Sequence, residues 1–387
     1  MEPAPRSGKA LRGARTTQKS ENMPVMRINV GPIHPSTHGV LRLLVDVDGD
    51  TIENMTCHIG FLHRGVEKLM ENRMYMQSPS YTEKLDYVAP LGWDDLYVHT
   101  VELALQKEVK ETAKYARVII MEFQRIASHL FFIGALCNDI GQMFTMFMWA
   151  FRERDAVLKF LEDISGSRMF YVNMRVGGLM RPLPDDFYDR AYKLTEYIEY
   201  KVKGYKDVID DNSIFMERTK GIGTISKKEA IDFGLSGPNL RASGVEYDVR
   251  KEYPYYAYDR LKFKVPTSNA GDGYARYKMR YEEIFESIKI IRQALDKMPR
   301  DNDVVGLPIK LIGPEAKPDI VINHHELPRG EGIIYMVPDK QKPYRIRLRS
   351  PVFISLSALE HICKGAKFAD LFSIAGTLDV VMAEVDR

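Results

Sequence analysis

Residues 111–163, ETAKYARVIIMEFQRIASHLFFIGALCNDIGQMFTMFMWAFRERDAVLKFLED, run without a proline and repeat their apolar side chains at helical spacing. That spacing predicts the helical core of a bundle. Working outward, the text turns helical from about Met70, and Gly166 closes the central run. Arg175 to Pro184 (RVGGLMRPLP) then reads as a connection, because glycine and proline interrupt regular structure. Further helices are expected at about Asp185 to Asp210 and Tyr281 to Met298, with irregular loops over 221–275 packed on the bundle. Toward the N-terminus, RINVGPIHPSTHGVLRLLVDVDGDTIENMTCHI predicts two short alternating strands around the turn Asp48 to Asp50. Toward the C-terminus, GIIYMVPDKQKPYRIRLR predicts a hairpin, followed by a last helix or loop ending at Arg387. The fold class is α+β: a central helix bundle, a small N-terminal β unit and a C-terminal β-hairpin region. No internal repeat is evident. The expected divisions are a disordered basic arm at 1–22, the N-terminal β unit at 23–69, the helical core at 70–299, and the hairpin and tail at 300–387, packed on the core.

With 387 residues, 45% hydrophobic and 28% charged, the chain reads as globular. A formal charge of +2 and the lack of a basic stripe with interleaved aromatics set nucleic-acid binding aside. Cys57, Cys137 and Cys363 stand far apart in no CxxC pair. Three isolated thiols cannot supply four ligands to a structural zinc ion or a conventional iron-sulfur cluster, and they make no disulfide framework. A reducing compartment is expected, with any redox metal held mainly by a partner protein. Leu130 to Phe151 is about the length of a membrane span, but Asn138, Asp139 and Gln142 interrupt it. A buried helix is the better expectation, with membrane contact through partners. The first 22 residues are polar and basic; as a presequence, the alternative, they lack an apolar face.

Several residues could carry chemistry. His34 and His38 lie four apart in GPIHPSTHG, but Pro35 and the flanking glycines favour a tight loop over a metal-binding helix face. The bland reading is a hairpin tip whose histidines hydrogen-bond to backbone. Asp139 is a carboxylate in an apolar helical run and, if buried, needs a partner. A histidine partner would have its pKa raised and be loaded with a proton near neutrality; an ordinary surface or capping aspartate is the alternative. Arg64, in GFLHRGVEK, is either an electrostatic device beside an anionic cofactor or an ion pair with Glu67. Tyr87, in EKLDYVAP, offers a phenol proton donor or simply packs.

Taken together and in order, GPIHPSTHGVLRL, HIGFLHRGVEKL, EKLDYVAPL, ASHLFFIGALCNDIG, RASGVEYDVRKEYPY, LRSPVFISLSAL and SIAGTLDVVMAEVDR resemble the 49-kDa, or D-subunit, family of complex I and NADH-quinone oxidoreductase and its archaeal counterpart in the coenzyme F420H2 dehydrogenase. The resemblance runs from about residue 26 to the end. It implies a fold like the large subunit of nickel-iron hydrogenases. Where those hydrogenases carry thiolates in their tail, this chain has Val381 and Glu384, and the other CxxC pair is absent around Tyr87. A nickel-iron site lacks its soft ligands here, which frees the cavity for an organic acceptor. By the same resemblance, a quinone or methanophenazine head group lies between His38 and Tyr87, with Asp139 paired to His38. His34 and Arg64 are the cofactor-side candidates, Arg64 near a tetranuclear iron-sulfur cluster in a neighbouring small subunit. This chain alone is expected to hold no cofactor.

Two departures from the family pattern bear on the acceptor. Phe170 follows SGSRM where many relatives have a histidine near that cluster, and the region from about 300 to 330 is short, with Pro328-Arg-Gly-Glu331 retained. Loss of the histidine predicts a cluster potential that depends weakly on pH and suits menaquinone or methanophenazine. The leading expectation is therefore electron transfer from F420H2 to methanophenazine or a quinone, on the cytoplasmic side of the cell membrane, with other hydrophilic-arm subunits and ion-pumping membrane-arm subunits as partners. The alternative is an NADH-quinone oxidoreductase, with NAD at complex level. A hydrogenase subunit and a non-catalytic scaffold are less favoured.

Overall fold

The structure is a computed structural model that describes residues 25–33, 37–141, 143–307 and 320–387. The expected arm at 1–22, His34 and much of the short 300–330 region lie outside the described residues. The central run forms two helices. After α1 (Pro90–Leu105), α2 spans Glu111–Gly141 and α3 spans Phe144–Ser165. The chain turns where the Met143 amide donates to the Cys137 carbonyl at 3.1 Å, and a Cβ on Gly141 would sit 2.9 Å from the Met143 side chain. Apolar periodicity continues through this turn, so the turn leaves little trace in the sequence. α2 passes the length and composition test for a membrane span, yet 89% of its apolar window is buried within the protein. It packs chiefly against α3 and α5 (Gly273–Lys297).

α5 starts eight residues before the expected Tyr281, because the Asp272 carboxylate caps it by accepting from the Ala275 amide at 2.8 Å. The added turns carry Arg276 and Arg280, both fully buried, which disguises them as loop in the sequence. The helix expected over 185–210 is α4 (Phe187–Lys203), broken at Gly204 from a short turn at Tyr205–Asp210.

The N-terminal unit has one strand more than expected. β1 (Met26–Val30) joins β2 (Arg42–Asp48) and β3 (Thr51–His58) in an antiparallel sheet of order β1-β2-β3. β2 alternates as a half-buried strand should, with Leu43, Val45 and Val47 inward. At the other end, the expected hairpin is β5 (Gly330–Pro338) and β6 (Pro343–Arg349), with β4 (Val321–Leu327) paired on β5. The sequence conceals β4 because its buried interior is polar: Asn323, His325 and Glu326.

Two apolar cores result. The larger joins α1 to α5 with the β4-β5-β6 sheet. The smaller joins the β1-β2-β3 sheet to α6 (Pro351–Cys363) and α7 (Leu371–Thr377). Residues beyond 300 thus serve both cores.

Segment 241–255 crosses the larger core as a lattice of buried ions. Arg241 lies 2.7 Å from Glu283 and 2.9 Å from Glu326, and Arg250 lies 2.6 Å from Asp248 and 3.0 Å from Glu122. His129 closes the set at 2.8 Å from Glu283. All of these side chains are buried.

Candidate functional site

A cavity of about 500 Å³ lies where the two cores meet. Phe132 and Leu136 of α2 form one wall, and Leu41, Leu359 and Val380 from the smaller core form the other. His38, Tyr87 and Asp139 all line it. His38 rides on the loop between β1 and β2, with φ of 56°. That loop is pinned by the Thr37 carbonyl, which accepts from the Val40 and Leu41 amides at 3.1 and 2.9 Å. Gly31 is required at its base: a Cβ there would fall 2.3 Å from the Leu41 carbonyl oxygen. Tyr87 precedes α1 and is 42% exposed.

Beneath Tyr87 the floor is charged. Arg329, in the turn between β4 and β5, donates to the Asp86 carboxylate, and to the Asp379 carbonyl at 3.1 Å and its carboxylate at 3.3 Å. Asp86 also accepts from the Val88 and Ala89 amides, which fixes the entry into α1. Burial works against the Arg329 charge, but Asp379 and Asp86 raise its pKa above the ordinary value. Burial raises the Tyr87 pKa, with nearby Arg329 opposing.

Asp139 needs correction. It is exposed at the cavity mouth, where it accepts a hydrogen bond from Asn138 at 3.3 Å; the premise of a buried carboxylate demanding a partner does not hold. The expectation that Asp139 loads His38 with a proton also fails. His38 is itself exposed to solvent on its loop; the partial desolvation by its surroundings lowers its pKa, Asp379 raises it, Arg329 lowers it and Asp139 raises it, and the net direction is down. His38 presents a neutral imidazole. Desolvation outweighs a carboxylate that is not in contact.

Arg64 does not pair with Glu67, which meets Arg345, Arg347 and Arg387 instead. Its guanidinium donates to the carbonyls of Lys84 and Ala383 at 3.2 and 3.1 Å, tying the segment before Tyr87 to the tail. The Lys84 ammonium in turn lies 5.5 Å above the Phe170 ring. Arg64 and Phe170, far apart in sequence, thus both meet Lys84.

A sequence profile described as "Respiratory-chain NADH dehydrogenase, 49 Kd subunit" matches residues 139–310 and 307–387. The D subunit of NADH-quinone oxidoreductase from Geobacillus thermodenitrificans is 42% identical over 362 residues, covering 93% of this chain and 98% of its own. The chain belongs to the 49-kDa subunit family. The corresponding D subunit from Geotalea uraniireducens is 42% identical over 386 residues, covering 94% and 99%, and the second D subunit of Rhizobium etli is 39% identical over 398 residues, covering 97% and 98%. The α+β, hydrogenase-large-subunit-like fold is that of the 49-kDa family. These relatives favour the alternative NADH-quinone reading over the F420H2 one, which finds no support among them.

Sequence reasoning places Glu384 at a former thiolate position but gives no role to Arg329, which lines the cavity, or to Asp86, which binds it from behind. Pro328-Arg-Gly-Glu331 is the visible signal, a turn that carries an arginine, although its polar flanks (His324, His325, Glu326, Glu331) make it read as surface. Glu384 accepts from the Ser350 hydroxyl at 2.6 Å, and burial, with Asp86 adding to it, pushes its pKa up to about 7.

Proposed function

We propose that this chain is the acceptor-site subunit of a complex I-type NADH-quinone oxidoreductase, a peripheral part of a membrane-bound respiratory complex, and that a quinone head group is reduced in the cavity between His38 and Tyr87. The observation that carries the reading is the convergence of His38, Tyr87 and Asp139 on one cavity in a member of this family. Electrons would come from the nicotinamide donor through an iron-sulfur cluster of a neighbouring small subunit, on the side of Arg64 and Phe170.

Two electrons entering a quinone place negative charge on its carbonyl oxygens. Hydrogen-bond donors aimed at that charge in a partly enclosed site stabilise it strongly. Tyr87, a phenol whose pKa only moves further upward here, supplies an O–H, and His38, whose pKa is lowered, supplies an N–H from its uncharged ring. An anion forming beside His38 raises the affinity of its ring for a proton. The ring is therefore charged after the electrons arrive, when a proton is needed, and not before. Arg329 below, paired with Asp86 and Asp379, fixes the floor beneath Tyr87 without entering the reaction.

Donor-driven quinone reduction by the assembled complex tests the reading. Tyr87→Phe is expected to lower it at least tenfold while reduction of an artificial dye upstream is retained; unchanged quinone reduction would leave a scaffold role. Offering NADH and F420H2 in parallel decides the donor, with activity on NADH expected.

A further inference from the structure

A second cleft, of about 810 Å³, opens beside α1 and β4, with His99 in its wall. Behind His99 the ionisable groups continue inward. Its Nδ1 lies 2.8 Å from Nε2 of His325, and Nδ1 of His325 lies 3.1 Å from Oδ2 of Asp95. Asp95 and His99 stand one helical turn apart on the same face of α1. His325 and Asp95 are fully buried. Tyr255 covers His325 in a parallel stack at 3.9 Å. Tyr256 donates to Asp95 Oδ1 at 3.0 Å and accepts from Arg117 at 2.6 Å.

A purely structural network saturates its polar atoms, because an unsatisfied buried group costs about 1–3 kcal/mol. Here Oδ2 of Asp95 and Nδ1 of His325 stand at 3.1 Å, within hydrogen-bond reach but off the ideal line, so the bond is weak and the atoms are not saturated. Both histidines are neutral: burial lowers the pKa of each, and His99, further opposed by His325, falls to about 3. Around His99, Arg117 of α2 and His325 of β4 disfavour its charge, and Asp95 favours it. Asp95 stays ionised; burial opposes this, but the contact with His325 and nearby Arg117 outweigh it. The tautomers that fit are His325 with its proton on Nδ1 toward Asp95, and His99 with its proton on Nδ1 toward His325. Nε2 of His99 is then the basic nitrogen left for the cleft.

We propose that His99, His325 and Asp95 form a proton-uptake relay from the solvent-filled cleft into the interior, supplying protons for reduction at the His38–Tyr87 cavity. A proton adds to Nε2 of His99, the Nδ1 proton moves to Nε2 of His325, and the Nδ1 proton of His325 passes to Asp95, which carries it only in transit because its resting state is the carboxylate. The entering proton leaves a solvent O–H and forms an N–H bond at His99; each of the two transfers that follow breaks one N–H bond and forms one N–H or O–H bond, and both rings return to their starting tautomers before the next proton enters. Reducing one quinone to the quinol consumes two electrons from the nicotinamide donor and two such protons. Asp94, next to Asp95 in sequence, and Glu83, which also acts electrostatically on Asp94, each have an orphaned, buried carboxylate oxygen, and Asp86 adjoins Tyr87 in sequence. Burial raises the pKa of all three acids, suiting them to hold protons. This rests on the acceptor-site reading above.

The test uses the assembled complex with His99→Ala, whose truncation leaves room at the cleft, and His99→Gln, which keeps a hydrogen bond to His325 but cannot relay. Both are expected to slow quinone reduction about tenfold or more with dye reduction intact, and added imidazole is expected to restore the alanine variant but not the glutamine one. An unchanged rate, or a loss that imidazole leaves unrestored in the alanine variant, overturns the relay. Tyr87→Phe, measured alongside, separates the two ideas: a normal rate in that variant defeats the acceptor site itself, whereas a slow Tyr87→Phe beside a normal His99→Ala defeats the relay alone.

Discussion

Glu283 and Asp139 are both carboxylates on long helices, yet one is locked and the other can respond to its surroundings. Glu283, on α5, is buried between Arg241 and His129. Burial alone would raise its pKa, but those partners drive it far below the ordinary carboxylate range. Asp139, at the end of α2, faces the cavity mouth with a long bond from Asn138. A charge held by several counter-ions is fixed over the whole physiological pH range, so it stiffens the core and does nothing else. The same residue type thus builds the lattice in one region and the candidate reaction site in the other.

The comparison breaks most sharply at Arg241. Replacing it with Met strands Glu283, Glu326 and Asp248 without their shared cation, and a loss of about 3–5 kcal/mol is expected, read as the shift in a denaturant unfolding curve. A loss under about 1 kcal/mol would mean that the lattice behaves like surface charge. Glu384 lies between the extremes. Its folded pKa of about 7 exceeds the ordinary 4.5, so its proton is held more tightly in the folded chain. The associated stability is fully present below pH 4.5 and is lost as pH rises toward 7, by about 3 kcal/mol. Glu384→Gln is expected to flatten that part of the stability–pH profile; an unaltered slope would place the titration elsewhere. The smallest stability effect is expected at Asp139→Asn, within about 0.5 kcal/mol, because the group is exposed. The same substitution should lower the His38 titration midpoint in an NMR titration, but by less than Asp379→Asn does, since Asp379 is the larger influence on that ring. The reverse ranking would make Asp139 the closer partner after all.

What can be read from the sequence follows the same division. Helices and strands with apolar faces are legible: α2 and α3 from their periodicity, β2 and β3 around the Asp48–Asp50 turn, and the β5–β6 hairpin. Elements that bury polar side chains are not. The first two turns of α5, carrying Arg276 and Arg280, and β4, carrying His325 and Glu326, read as surface text until their partners on distant segments are known. At the site, the family resemblance points to His38, Tyr87 and Asp139, and they line one cavity. Their electrostatic states are not legible. The neutrality of His38 depends on how tightly α2 and the tail close around it, and the anchoring of Tyr87 depends on Arg329, which comes from a turn 242 residues further along the chain.

The cavity is walled by side chains from both apolar cores, Phe132 and Leu136 on one side and Leu41 and Val380 on the other. Whatever fills it is therefore a wedge in a joint between two close-packed bodies. Packed interiors yield by discrete shifts and not by smooth deformation. An occupant of this cavity would touch both cores at once, so its arrival or departure would be felt on both sides of that joint.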